Sequence, residues 1–236
     1  MTANGHSRLV LFDIDGTLLL TAGAGRRAIV SALRDEVEDP AAFAGIRFDG
    51  KTDPQIVVEM LGAAGQEESH ESERVRQLCR RYVGLLAEEL ERPTTRTTLM
   101  PGVLPLLDRL ESRSEVVLGL LTGNVAEGAA LKLRSGGIDP SRFRIGAYGS
   151  DAGHRPALPG IAARRAEAIF GRLPSGPEVI IIGDTPADIH CGRGIRARAV
   201  GVATGSYSVD DLSSCGAHAV FADLSDTERV VEAILG

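Results

Sequence analysis

The chain has 236 residues, of which 43% are hydrophobic and 25% are charged, as in a globular protein able to bury a sizeable core. Its formal net charge is −6 and it has no basic tract, which argues against nucleic acid and anionic membranes as partners. The three cysteines are too widely spaced for a disulfide framework or a zinc pattern, and no apolar run is typical of a signal peptide or a membrane span. We therefore predict a cytoplasmic protein.

The first predicted element is a buried strand that ends at two carboxylates. Residues 9–12 form a short apolar run, and Asp13 and Asp15 follow it with one residue between them. Like charges this close require a cation, a shared proton or solvent, so we expect them at a cleft that holds a metal ion. Gly16 would let the backbone turn beside a ligand. Asp and Gly are also ordinary turn residues, so this motif alone leaves both interpretations open.

The next stretch predicts an all-helical insertion. Helices are expected at three places: 21–34, 54–61 and 69–92. Asp53 is the predicted N-cap of the second helix. We find no convincing strand in this stretch, so the domain prediction is a helical insertion at 20–99 within a core made of 1–19 and 100–236.

From residue 101 onwards, strand and helix patterns alternate. Strands are predicted at 116–121, 143–148, 178–182, 198–202 and 218–221. Helices are predicted at 102–113, 126–134, 157–170, 186–192 and 226–235. This alternation predicts an α/β fold, a doubly wound, Rossmann-like and mainly parallel sheet with helices on both faces.

Polar residues follow three of the predicted strands, where sheets of this kind bind their ligands. They are Asp13, Asp15, Gly16 and Thr17 after the first strand, Thr122, Gly123 and Asn124 after the second, and Asp184, Thr185 and Asp188 after a later one. Carboxylate oxygens favour Mg²⁺, and a hydroxyl with backbone N–H groups in a glycine turn suits phosphate. Each motif alone is compatible with a turn or a helix start, but their order after three strands favours a site.

These motifs resemble those of one family. DIDGTL, at residues 13–18, resembles motif I of the haloacid dehalogenase superfamily, and TGN and GDTPADI match its motifs II and IV in spacing. The resemblance covers nearly the whole chain, with the insertion where the family has its helical cap. The family's motif III lysine is replaced by Arg155, followed by Pro156, since the only lysines are Lys51 and Lys132. Arg155 is therefore either a phosphate-binding fork or a surface arginine that starts a helix.

The resemblance implies a Mg²⁺-dependent phosphatase of the phosphoglycolate-phosphatase-like branch. Asp13 would be the nucleophile that forms an aspartyl-phosphate, and Asp15 the general acid and base. The residues implied for Mg²⁺ are Asp13, the backbone carbonyl of Asp15, Asp184 and Asp188. The residues expected to bind substrate or phosphate are Gly16, Thr17, Thr122, Gly123, Asn124 and Arg155, together with Lys51 from the insertion, placed to meet an anionic substrate tail.

Other functions remain as alternatives at this point. A phosphomutase keeps the same motifs, whereas a haloacid dehalogenase needs neither the metal nor an acid at Asp15. Outside the family, a receiver-like signalling domain would be about half this length and would lack a cap, and an inert binding protein would be expected to lose a motif I aspartate. A cap over the site predicts a small phosphorylated metabolite as the partner. The chain would be a monomer or a homodimer.

Overall fold

The computed structural model describes residues 8–37 and 43–236, so the first seven residues of the predicted core lie outside it. The described strands are β1 (Arg8–Phe12), β2 (Leu19–Leu20), β3 (Thr98–Leu99), β4 (Val116–Leu121), β5 (Ile145–Ala147), β6 (Val179–Gly183), β7 (Arg198–Val202) and β8 (Ala219–Phe221). The described α-helices are α1 (Ala24–Ala32), α2 (Asp53–Ala63), α3 (Glu73–Glu91), α4 (Val103–Glu111), α5 (Ala126–Ser135), α6 (Leu158–Phe170), α7 (Pro186–Cys191), α8 (Val209–Ser214) and α9 (Thr227–Leu235).

In the described residues, six strands form one sheet in the order β5-β4-β1-β6-β7-β8, and every neighbouring pair is parallel. β1 lies inside the sheet, which explains its continuous apolar run. Val10 and Phe12 pack with α4, α5 and α9 on one face, whereas Leu9 and Leu11 pack with α6 on the other. The predicted α/β doubly wound fold is therefore confirmed.

The helices α1, α2 and α3, here called the helical segment, have a hydrophobic cluster of their own, which includes Ile29, Met60 and Tyr82. The segment is joined to the sheet through β2 and β3, which pair antiparallel with Leu20 opposite Thr98. The expectation of no strand between 20 and 99 was thus wrong at both ends. Two-residue strands are too short to produce a detectable period in the sequence. Over the described ranges, no helix combines the length and apolarity needed to cross a membrane.

The start of α2 docks the helical segment on the turn that follows β4. The predicted N-cap at Asp53 was wrong, because Thr52 caps the helix by accepting a hydrogen bond from the Gln55 backbone N–H at 3.2 Å. Asp53 instead bridges the two parts of the chain. Its backbone N–H donates to the Gly123 carbonyl at 2.8 Å, and its carboxylate accepts from the Val125 N–H at 2.8 Å.

Two further features bring the start of α2 close to the turn after β4. The Thr52 hydroxyl donates to the Gly153 carbonyl oxygen at 2.6 Å. A Cβ atom placed on Gly123 would lie 2.0 Å from the Lys51 carbonyl oxygen, so only glycine allows the two backbones to approach this closely. The helical segment therefore lies directly against the carboxyl end of β4.

The buried Asp53 predicts a pH dependence of stability. Burial raises the pKa of this carboxyl to about 6, from 3.8, although Lys132 opposes the shift. Between these two pH values the folded protein binds more protons than the unfolded chain, so the free energy of unfolding falls as pH rises. Asp53→Asn should remove this pH dependence. The free energy of unfolding of wild type minus that of the variant should therefore change by up to about 3 kcal/mol between pH 4 and 6.

Chemical denaturation of wild type and variant across this pH range measures the effect. Asp49→Asn is the control, since it removes an equal charge from an exposed side chain in the neighbouring loop. An equal pH-dependent change in both variants would contradict the assignment to Asp53.

Candidate active site

Three buried aspartates meet at the carboxyl end of the sheet. Asp13 follows β1, Asp184 follows β6, and Asp188 lies in the first turn of α7. Because β1 and β6 are parallel neighbours, their carboxyl ends are adjacent. One carboxylate oxygen from each aspartate lies within 4.8 Å of the others. The sequence prediction that these three residues share a site agrees with this geometry.

Arg155 lies beside this acidic cluster. It begins a 3₁₀ turn, Arg155–Ala157, that leads into α6, and only 4% of the residue is exposed. Its Nη2 atom lies 3.0 Å from Asp13 Oδ1 and also pairs with Asp188 Oδ1. The alternative of a surface arginine is therefore wrong. Within the described part of the chain, its buried Nε atom has no hydrogen-bond partner.

The cluster contains three carboxylates and a single guanidinium, so negative charge is in excess. Burial raises the pKa of Asp13 to about 6, with Arg155 opposing the shift and Asp188 adding to it. Burial, followed by the charges of Asp188 and Asp13, also raises the pKa of Asp184 well above its usual value. A divalent cation would remove this penalty, and carboxylate oxygens are the ligands that Mg²⁺ prefers. The donor set therefore fits the predicted metal.

Two loops enclose the Asp184 carboxylate. Gly16 has a φ of 84°, and a Cβ atom there would lie 2.3 Å from Asp184 Oδ2. The Thr17 hydroxyl donates to Asp184 Oδ1 at 3.0 Å. Gly205 closes the other side, where a Cβ would lie 1.8 Å from Asp184 Oδ2. Gly205 was not among the predicted site residues, although it closely follows the strand predicted at 198–202.

Asp188 is held by its own helix. Its Oδ2 atom accepts from the Thr185 backbone N–H at 3.0 Å and from the Thr185 hydroxyl at 2.6 Å, forming a capping box. Its other oxygen pairs with Arg155. Both oxygens of Asp188 are therefore engaged by the protein, which suits it to orient Arg155 and the neighbouring carboxylates.

Asp15 lies in a different environment from Asp13. Its carboxylate is outside the three-aspartate cluster and accepts from Lys132 Nζ at 2.8 and 2.7 Å, one distance to each oxygen. Asn124 Nδ2 donates to Asp15 Oδ2 at 2.8 Å and to the Thr122 hydroxyl at 2.8 Å. The predicted metal ligand of Asp15 is its backbone carbonyl. These side-chain contacts do not bear on that ligand, so it stays a prediction.

A cavity of about 200 Å³ lies between the helical segment and the carboxyl end of the sheet. The predicted site residues that line it are Asp13, Asp15, Lys51, Thr122, Gly123, Asn124, Arg155 and Asp184. The lining residues that the sequence analysis did not propose for the site include Arg26, Asp53, Tyr82 and Lys132. The predicted residues Gly16, Thr17 and Asp188 lie behind this wall and support it.

Several solved structures resemble this one. A hydrolase from Pseudomonas syringae is 21% identical with a TM-score of 0.69, over 95% of this chain and 97% of that one. A predicted phosphoglycolate phosphatase from Haemophilus somnus 129PT is 20% identical with a TM-score of 0.65, over 96% and 98%. A protein described as a candidate β-phosphoglucomutase from Bacteroides vulgatus is 17% identical with a TM-score of 0.66, over 98% and 89%. At these identities the likeness shows the fold.

No curated protein sequence matches the chain at a significant level. The model of one family, described as haloacid dehalogenase-like hydrolase, does match, and the match runs over residues 10–193. It spans most of the chain, from β1 to the 3₁₀ turn after α7, and so includes every predicted site residue. The chain therefore belongs to the haloacid dehalogenase-like hydrolases.

Proposed function

We propose that this protein is a Mg²⁺-dependent phosphatase that hydrolyses a small phosphomonoester through an aspartyl-phosphate on Asp13. The observation that carries the proposal is the placement of Asp13 beside the buried Arg155, at the wall of a cavity that also exposes Asp15. A nucleophile, a fixed cation for phosphoryl oxygens and a second carboxylate are thereby brought to one place. The predicted cytoplasmic location and the monomer or homodimer state stay predictions.

The acidic cluster would hold the metal. Asp13 and Asp184 would be carboxylate ligands, the Asp15 backbone carbonyl a third, and Asp188 would orient them. When bound, Mg²⁺ would offset the charge of these carboxylates and of the phosphoryl group.

The chemistry then divides between the two motif I aspartates. An Asp13 oxygen attacks phosphorus, the bond from phosphorus to the leaving oxygen breaks, and Asp15 donates a proton to that oxygen so that an alcohol departs. Asp15 next takes a proton from water, the water oxygen attacks phosphorus, and the bond to Asp13 breaks to release phosphate. Arg155 and Thr122, with the turn at Gly123 and Asn124, would bind the phosphoryl oxygens.

The helical segment would act as the cap of this site, with the domain division at 20–99 as predicted. Supporting this role, it supplies part of the cavity wall, including Ile56 and Tyr82, and rests directly on the turn at Gly123. A lid of this kind keeps water out during the first step. The volume of the cavity suits a small metabolite.

Asp13→Asn should abolish phosphate release, and Asp15→Asn should slow it on the order of 10²–10⁴-fold, because each removes a group that takes part in bond making. The measurement is phosphate release from a panel of small phosphomonoesters, with and without Mg²⁺. Asp210→Asn, at an exposed position on α8, is the matched control and should keep wild-type activity.

Retained turnover in Asp13→Asn would contradict the aspartyl-phosphate mechanism. Conversion of a sugar phosphate to its isomer without release of phosphate would show the phosphomutase alternative instead.

The second test concerns Lys51, whose side chain lines the cavity and pairs with Glu59. If Lys51 meets an anionic substrate tail, Lys51→Ala should raise KM about tenfold for substrates with a second negative charge, since a hydrogen bond to a charged group contributes about 1.5 kcal/mol. KM for an aryl phosphate without that charge should change little.

Glu59→Gln is the reciprocal variant, because it removes the negative charge that pairs with Lys51 and should lower KM for the doubly anionic substrates. Equal effects of Lys51→Ala on both substrate types would place selectivity elsewhere in the helical segment.

A further inference from the structure

We infer that Lys132 is a positioning residue that holds the Asp15 carboxylate in place for proton transfer, and that the docked helical segment keeps Lys132 there. This inference rests on the proposed function. Lys132 belongs to none of the motifs that identify the site, and it comes from α5, between two of them.

Lys132 contacts Asp15 directly. The Lys132 ammonium lies 2.8 and 2.7 Å from the two oxygens of Asp15, so a single group engages both. Asn124 adds a third N–H donor at 2.8 Å. The Asp15 side chain is 40% exposed, so without these donors nothing described would hold its rotamer against rotation into the cavity. Proton transfer needs a heavy-atom separation of about 2.6–3.2 Å, which tolerates little rotation.

The Lys132 side chain is only 6% exposed, an unusual state for a lysine. In the described residues it pairs with Asp15 alone. A buried ammonium needs such a partner, because desolvation without compensation is strongly unfavourable. Each member of the pair therefore depends on the other: Lys132 orients Asp15, and Asp15 compensates the buried charge of Lys132.

α5 belongs to the sheet half of the molecule, but the helical segment passes over the Lys132 ammonium. A Cβ atom on Gly25, in α1, would lie 3.2 Å from Lys132 Nζ and 3.7 Å from the hydroxyl oxygen of Tyr82, in α3. Lys132 also acts electrostatically on Asp53, at the start of α2. Groups from all three helices of the segment therefore lie near the lysine that orients Asp15.

An ion pair that only stabilises the fold would give the same contacts, so the test must separate the two roles. Proton donation matters for a poor leaving group and not for a good one. An alkyl phosphate needs a proton on its leaving oxygen, whereas 4-nitrophenolate leaves without one. Misplacing Asp15 should therefore slow cleavage of the phosphorus–oxygen bond in an alkyl phosphate and spare it in 4-nitrophenyl phosphate.

The experiment compares Lys132→Met, of similar length but without donors, with wild type on both substrates in the presence of Mg²⁺. The expected result is a fall in kcat for the alkyl phosphate of about 10²-fold, with KM changed less than about threefold. The pre-steady-state burst of 4-nitrophenolate should keep its wild-type rate. Arg134→Met, on the exposed side of the same helix, removes the same charge and should match wild type.

Equal slowing of both substrates in the first step, or kinetics like those of Arg134→Met, would overturn the inference. If Lys132→Met does not fold, Lys132→Gln, which keeps an N–H donor but loses the charge, should show the same contrast between leaving groups to a smaller extent. Wild-type protein that hydrolyses neither substrate would instead reject the proposed function, so the two failures are distinguishable.

Discussion

The site depends on an imbalance of buried charge at the carboxyl end of the sheet. Asp13, Asp184 and Asp188 converge within 4.8 Å, and Arg155 is the one guanidinium that pairs with them in the described structure. Burying three carboxylates against one cation is unfavourable unless some ionise poorly or further positive charge arrives. The raised pKa values of Asp13 and Asp184 express that cost. Hydrogen bonds from Thr17 and Thr185 and the pairing with Arg155 hold the cluster together nonetheless.

The two motif I aspartates follow the same strand, β1, but lie in opposite surroundings. Asp13 is nearly fully buried and lies in the acidic cluster, whereas Asp15 is partly exposed and faces an ammonium and an amide. Side chains two positions apart on extended backbone point the same way, so the difference arises because the chain leaves β1 at Phe12 and turns at Gly16, which has a φ of 84°. A nucleophile and a proton carrier can thus differ in role although they are neighbours in sequence.

The sequence predicted the fold class and most residues of the site because both depend on short-range patterns. Alternating apolar runs indicate a parallel sheet, and the residues after each strand fall at one edge of it. Asp53 and Lys132 were missed because their positions depend on how separate parts of the chain dock. Asp53 resembles a helix cap in sequence, and its actual partner is the Val125 N–H, 72 residues away. The pairing of Lys132 with Asp15 spans 117 residues.

The central claim is that the excess of buried negative charge is a site for a divalent cation. Isothermal titration calorimetry of the purified, chelator-treated protein with MgCl₂ tests it without reference to any substrate. The account predicts one Mg²⁺ per chain for wild type, and much weaker binding for Asp184→Asn, which removes a ligand charge from the cluster. Absence of binding at millimolar Mg²⁺, or equal binding by Asp184→Asn, would contradict it.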